Sequence, residues 1–226
     1  MFCDEAVNRF TMRAKAALEV YMERPVEELH VHVSLGNEKL GFMLNVSTLP
    51  VLTCGNCKAC RNYCYAINTC NYSKQALHAW AENTALFKRD PERYFYEIQD
   101  FIRWSGSLVH YFRWHVGGEI INERYLAGMF ETARKFPKWH FYTYTKMHAL
   151  VNAHADEIPE NMHIMYSHWD GVEINNPHNF PEFHTKLKKS NTDYSKYFEC
   201  KQDCRECVKN GRGCVIGETS WILEHK

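Results

Sequence analysis

The stretch TCGNCKACRNYCYA, residues 53 to 66, sets Cys54, Cys57, Cys60 and Cys64 within eleven positions. Thiolates held that close repel one another unless a cation neutralises them, so the run points to a bound metal before anything else. Its spacing, C-x2-C-x2-C-x3-C, matches the bacterial ferredoxin run except that Tyr65 stands where proline would. A second group, Cys200, Cys204, Cys207 and Cys214, lacks the histidine spacing of a zinc finger. We therefore expect one or two 4Fe-4S clusters, with Cys54, Cys60 and Cys64 as the core ligands of the first group and Cys57 left open. Zinc is the alternative at the C-terminal group. Cys3 and Cys70 are read as non-ligands, Cys70 as a packed thiol.

The rest of the chain bounds where such chemistry takes place. Residues 1 to 20 carry acids early and have no basic start followed by an apolar block, and no apolar run is long enough to span a bilayer. The expectation is a folded protein of a reducing cytoplasm, where clustered cysteines serve metal or redox chemistry rather than disulfides. Lys plus Arg equals Asp plus Glu, 27 each, so no global field draws nucleic acid or an anionic membrane. Lys186, Lys188 and Lys189 make the one basic run and read as a solvated turn.

Apolar periodicity predicts a helix over residues 5 to 22 with Asp4 as its cap, and two extended segments around Gly36-Asn37. Helices are expected over Ser73 to Lys88 and from Asp90-Pro91 to just before Gly106. Then strand and helix alternate: SLVHYFRWH, a helix capped by Asn122, WHFYTYT, a short helix in KMHALVNAH, and MHIMYSHW. Alternation of this kind predicts parallel pairing, hence an α/β fold, here a partial (β/α) barrel over residues 1–175, followed by a loop-rich, cysteine-clustered metal-binding tail over 176–226. Parallel strands put their carboxyl ends on one rim. The cysteine loop, VGGE, TYTK and SHWD would all meet there. Arg113 and His115, two apart on one strand, are expected on the same face.

YCYA closing a cysteine loop, FRWHVGGEIINERYLAGMFETARKFP downstream and then FYTYTK resemble the opening of the radical S-adenosylmethionine superfamily. So does C-x3-C-x2-C within the second group. The resemblance implies that Gly117, Gly118 and Glu119 hold the methionyl ammonium of S-adenosylmethionine, with Thr145, Lys146, His168 and Asp170 as further cofactor contacts. Two departures stand: the loop reads C-x2-C-x3-C, or C-x5-C-x3-C if Cys57 is skipped, and Ile120 replaces the usual proline. Over roughly residues 40 to 225 the cysteine loop, Arg113, Trp114, Gly118 and Glu119, Tyr144-Thr145-Lys146 and the terminal cysteines also resemble the phage gene product eighty-eight family. Together these imply an iron–sulfur protein, a radical S-adenosylmethionine-like enzyme acting on an unnamed substrate and served by an electron donor. The alternatives are a two-cluster electron-transfer protein and a zinc-stabilised interaction protein.

Overall fold

The computed structural model describes residues 3–37, 41–55, 60–106, 110–169, 173–186, 191–210, 214 and 217–223. Helix α1 (Asp4–Glu23) buries Val7, Phe10, Ala14, Ala17 and Tyr21, one stripe at helical spacing. Asp4 is the first helical residue and pairs with Arg61 at 2.9 Å, and Cys3 takes the cap position without a side-chain bond. Strands β1 (Val33–Asn37) and β2 (Gly41–Val46) pair antiparallel, with a register shift between Ser34 and Gly36. Gly36 and Asn37 belong to β1 itself, so the reversal falls later than the sequence reading put it.

Helix α2 (Tyr65–Tyr72) follows the cysteine loop, and the sequence reading did not foresee it. Helix α3 (Lys74–Arg89) starts on Ser73, whose hydroxyl accepts from Ala76 N, and α4 (Pro91–Ser105) on Asp90, which accepts from Arg93 N. Strand β3 (Tyr111–Trp114) leads through α5 (Glu123–Lys135), capped by Asn122, to β4 (His140–Thr145). After α6 (His148–Ala153) comes β5 (Met162–Trp169).

The tail departs from expectation. The sequence reads as loop from residue 175 to 200, yet β6 (Glu182–Lys186) and β7 (Phe198–Glu199) lie within it, followed by α7 (Cys204–Asn210) and β8 (Ser220–Leu223). Their polar, histidine- and lysine-rich sequences lack the apolar runs of β3 to β5. Pairing with a neighbour already in the sheet makes up for that, as tertiary context often overrides strand propensity.

The eight strands form one open sheet in the order β1-β2-β3-β4-β5-β6-β8-β7, parallel throughout except for β1 against β2. The fold is mixed α/β, and the sheet does not close on itself. One face packs Leu44, Val46, Phe112, Trp114, Phe141, Ile164 and Tyr166 against the helices. The opposite face gathers Met43, Tyr142 and Met165 around Cys214, with Tyr144, Phe183 and Cys204 beside them. The cysteine-bearing tail therefore covers the face that the helices leave open. Among the described residues no helix is long and apolar enough to cross a membrane.

Buried polar clamps fix the N-terminal half. The Asn83 amide donates to His32 O (3.1 Å) and Ser47 O (2.9 Å), and its oxygen accepts from His32 N (2.7 Å). Thr84 Oγ1 accepts from Leu49 N at 3.0 Å. These bonds tie the chain on both sides of the β1–β2 hairpin to α3, and so anchor the segment that enters the cysteine loop.

Candidate metal and cofactor site

Because β2, β3, β4 and β5 run parallel, the segments leaving them meet at one rim. Thr48 N donates to Gly117 O (3.0 Å) and Gly117 N to Ser47 Oγ (3.0 Å), joining the exits of β2 and β3. Lys146 N donates to Glu119 Oε2 (2.8 Å), joining the exits of β3 and β4. The Tyr63 ring of the cysteine loop lies 5.3 Å from Trp169 at the end of β5. Space beside Gly55 is filled by Met147, whose sulfur would stand 2.9 Å from an added Cβ. The convergence expected from topology is present.

Glu119 is buried, with 5% of its surface exposed. Its Oε1 accepts from Thr145 Oγ1 (2.7 Å) and Ile120 N (2.8 Å), and its Oε2 from Lys146 N. Burial nevertheless raises its pKa above the ordinary glutamate value, against the pull of Lys146 and these donors. A carboxylate offers about four lone-pair directions, so three donors leave one unfilled. The glycines before it are required by packing: a Cβ on Gly118, at φ +87, would meet Thr48 Oγ1 at 2.0 Å, and one on Gly117 would meet the Trp80 ring at 2.4 Å.

Lys146 links the acid to the thiols. Its Nζ donates to Ser167 Oγ at 2.8 Å. Burial depresses its pKa, but Cys60, Glu119, Cys54 and Cys64 together outweigh that and hold it above the usual lysine value. Lys146 thus stands within the field of all three described cysteines of the loop. Cys64 occupies the cap position of α2 and its sulfur faces the amides of Ile67 and Ala66, without a cap hydrogen bond of ordinary geometry. Burial raises its thiol pKa, and those amides and Lys146 oppose the rise. Cys57 and Asp170 lie outside the described residues.

The second group lies on the open sheet face. Cys214 is buried, and burial pushes its thiol up to about 12 against the Tyr144 hydroxyl, with Cys204 and Cys200 adding to the rise. Cys207 feels Cys200 and Cys204 in turn, so the four sulfurs share one neighbourhood. Arg113 stands between the groups: its guanidinium lies over Tyr144 (5.0 Å) and donates to the Tyr65 hydroxyl (3.3 Å), which donates to Val116 O. His115 points the other way, toward Thr143 Oγ1 (3.1 Å) and the Tyr125 ring. The expected shared face is thus corrected. His115 sits past the end of β3 at φ +58, and this left-handed turn breaks strand alternation.

No disulfide joins any two of the nine described cysteines. Cys70 is fully buried, its thiol raised by burial to about 12, as a packed thiol should be. His168 forms its ion pair on the β6 side. It neighbours Ser167, the partner of Lys146, and so faces the other side of β5, where its Nδ1 lies 3.3 Å from Glu182 Oε2. His184 Nε2 lies 2.9 Å from the same oxygen. Glu182 and His184 escaped sequence reasoning, although E-x-H at alternate positions would have put both on one face of a strand had β6 been recognised.

No curated protein and no solved structure matches the chain. The family model described as gene product 88 matches residues 13–209. That span takes in the cysteine loop, the buried Glu119, the Thr145–Lys146 turn and three of the four tail cysteines, and the chain belongs to the gene product 88 family.

Proposed function

We propose that the rim of the sheet carries an iron–sulfur cluster and that the protein is a radical S-adenosylmethionine-like enzyme. The observation that carries this reading is the meeting of Cys54, Cys60 and Cys64 with Lys146 and Glu119 at the carboxyl ends of parallel strands. The donor set fits the group: three cysteine sulfurs near the Lys146 cation are soft ligands, and that cation opposes the rise that burial imposes on the Cys64 thiol. Thiolates on one tetrahedral zinc ion stand about 3.8 Å apart, given Zn–S bonds near 2.3 Å. Among the described residues neither cysteine group brings three sulfurs within 4.8 Å of one another.

Cys54, Cys60 and Cys64 would hold the rim cluster, and Cys200, Cys204, Cys207 and Cys214 an auxiliary one. Reduced and with one iron open to S-adenosylmethionine, such a cluster supplies the electron that cleaves the sulfonium and releases an adenosyl radical. The chain's own residues bind and orient. Glu119 offers its remaining lone pair to an ammonium, Thr145 and the Lys146 amide fix the carboxylate, and Lys146 balances the thiolate charge. The test is anaerobic reconstitution with iron and sulfide, followed by cofactor binding and release of 5′-deoxyadenosine on reduction. Glu119→Ala should keep wild-type iron and bind the cofactor about tenfold or more weakly, as when a charged hydrogen-bond partner is lost. An iron-loaded wild type that binds no S-adenosylmethionine refutes the reading. The internal engagement of Glu119 by three donors favours, as a second reading, a two-cluster electron-transfer protein, for which that result would be the expected one.

A further inference from the structure

A second donor set, built of different chemistry, lies on the helix-side face of β5 and β6. His168 and His184 are opposite each other in the parallel register, and Glu182 shares the His184 face two positions earlier. One ligand atom from each, His168 Nδ1, Glu182 Oε2 and His184 Nε2, lies within 4.8 Å of the other two, and among the described residues this is the set of three potential ligands drawn so close. We propose that these three side chains bind a divalent first-row transition ion of the zinc class, at a site separate from the cysteines.

Two observations carry the proposal beyond proximity. His184 is 6% exposed, and its Nε2 has Glu182 Oε2 as its neighbour, 2.9 Å away but outside good hydrogen-bond geometry. A buried imidazole nitrogen held in poor hydrogen-bond geometry is costly, and a bound ion shared with the carboxylate removes that cost. The surrounding contacts also fix the ligands as metal sites require. Asn176 Nδ2 donates to Glu182 Oε1 (3.1 Å) and so turns Oε2 toward both histidines, and the Tyr197 ring stacks on His184 at 5.0 Å with 12° between planes. Nitrogen and oxygen ligands about 2.0–2.2 Å from a tetrahedral ion stand roughly 3.3 Å apart. The two separations from Glu182 Oε2, 3.3 and 2.9 Å, need only a few tenths of an ångström of adjustment. Imidazole with carboxylate suits zinc and its neighbours, while the cysteines suit softer centres. Three protein ligands leave a fourth position open to water or a small anion.

The test titrates cobalt(II) into the full chain, the metal content of its cysteines having been measured first. Cobalt on thiolates gives intense near-ultraviolet charge-transfer bands; cobalt on nitrogen and oxygen gives weak visible bands alone. The expected result is one equivalent without sulfur bands, displaced by zinc and weakened about 100-fold in His168→Gln and His184→Gln at unchanged iron and sulfide content. Asn176→Ala, which leaves every ligand in place, should weaken it about tenfold and guards against misfolding of the ligand variants. A wild-type chain that takes up no such equivalent overturns the proposal, as do folded histidine variants that bind as tightly as wild type. Iron and sulfide content, read in the same samples, separates this outcome from failure of the rim-cluster reading.

Discussion

His115 should make the fold acid-sensitive through an identifiable single group. Its ring is 4% exposed, its Nε2 has no partner, and burial first, then Arg113, lowers its pKa from 6.5 to about 3. The sign follows from linkage. Between those two values the unfolded chain carries a proton on this imidazole and the folded chain does not, so the unfolded state binds more protons and stability falls as pH falls through the window. Moving from about pH 7.5 to about pH 4.5 costs roughly 2.7 kcal/mol from His115 alone, at about 1.36 kcal/mol per unit below its unfolded pKa. Any folded value well under 4.5 gives the same figure, so it does not hang on how far the pKa is depressed. His115→Asn removes the titration while keeping a residue that tolerates the φ of +58 seen there. Urea unfolding of both proteins at the two pH values supplies the comparison. Glu182, held low by His168 and then His184, loses stability in the same direction, and Glu119, raised by burial, in the opposite one. Both are common to the two proteins and cancel. The drop in stability on acidification should be smaller in the variant by about 2–3 kcal/mol. Equal drops would refute the reasoning.

Gly118→Ala should destabilise by about 2–4 kcal/mol, from a left-handed φ and a Cβ driven onto Thr48, seen as a lowered urea midpoint; a neutral effect would mean that the turn relaxes freely. Asn83→Ala strands His32 N, His32 O and Ser47 O, and should cost about 3 kcal/mol or more at unchanged secondary structure by circular dichroism, whereas a loss under about 1 kcal/mol would show that water replaces the amide. Lys146→Met removes the cation that opposes the raised pKa of Cys64, so in reduced, metal-free protein iodoacetamide should label Cys64 roughly three- to tenfold more slowly, the factor for about 1 kcal/mol of lost attraction. Unchanged or faster labelling, followed by mass spectrometry, would count against the electrostatic link between that lysine and the loop.

What the sequence disclosed depended on how far each element carries its own signal. Helices α3, α4 and α5 announce themselves through Ser73, Asp90-Pro91 and Asn122, and each cap makes the bond expected of it. Strands β3, β4 and β5 are apolar and aromatic enough to read directly, and their alternation with helices gives the parallel order and hence the shared rim. Helix α2 was missed because Asn68, Thr69, Cys70 and Asn71 are poor helix formers. Burial of Ala66, Ile67 and Cys70 against the core holds it in place. The same blindness hid β6, where Glu182, His184 and Lys186 alternate with Phe183 and Thr185 and no residue but Phe183 is strongly apolar. Local pattern cannot show that a polar strand is completed by its neighbour. Missing β6 meant missing Glu182 and His184, the partners of His168. His115 misled for a related reason: strand alternation holds only while φ stays extended, and one left-handed residue reverses it.

Strand alternation also explains how one rim keeps two donor chemistries apart. Ser167 and His168 are neighbours on β5, yet Ser167 receives Lys146, beside the thiols, whereas His168 faces Glu182 and His184. The two neighbouring side chains therefore serve different partners, a lysine in the field of the loop cysteines and a carboxylate with a second imidazole. Separation matters because thiolates compete strongly for zinc-class ions. A pairing register shifted by one residue would turn every side chain of β5 to the other face and part His168 from Glu182 and His184. Register in turn rests on the apolar residues that β5 sends to each core, Ile164 and Tyr166 to the helices and Met165 to the opposite face. Packing well below the rim thus governs which ligands meet above it.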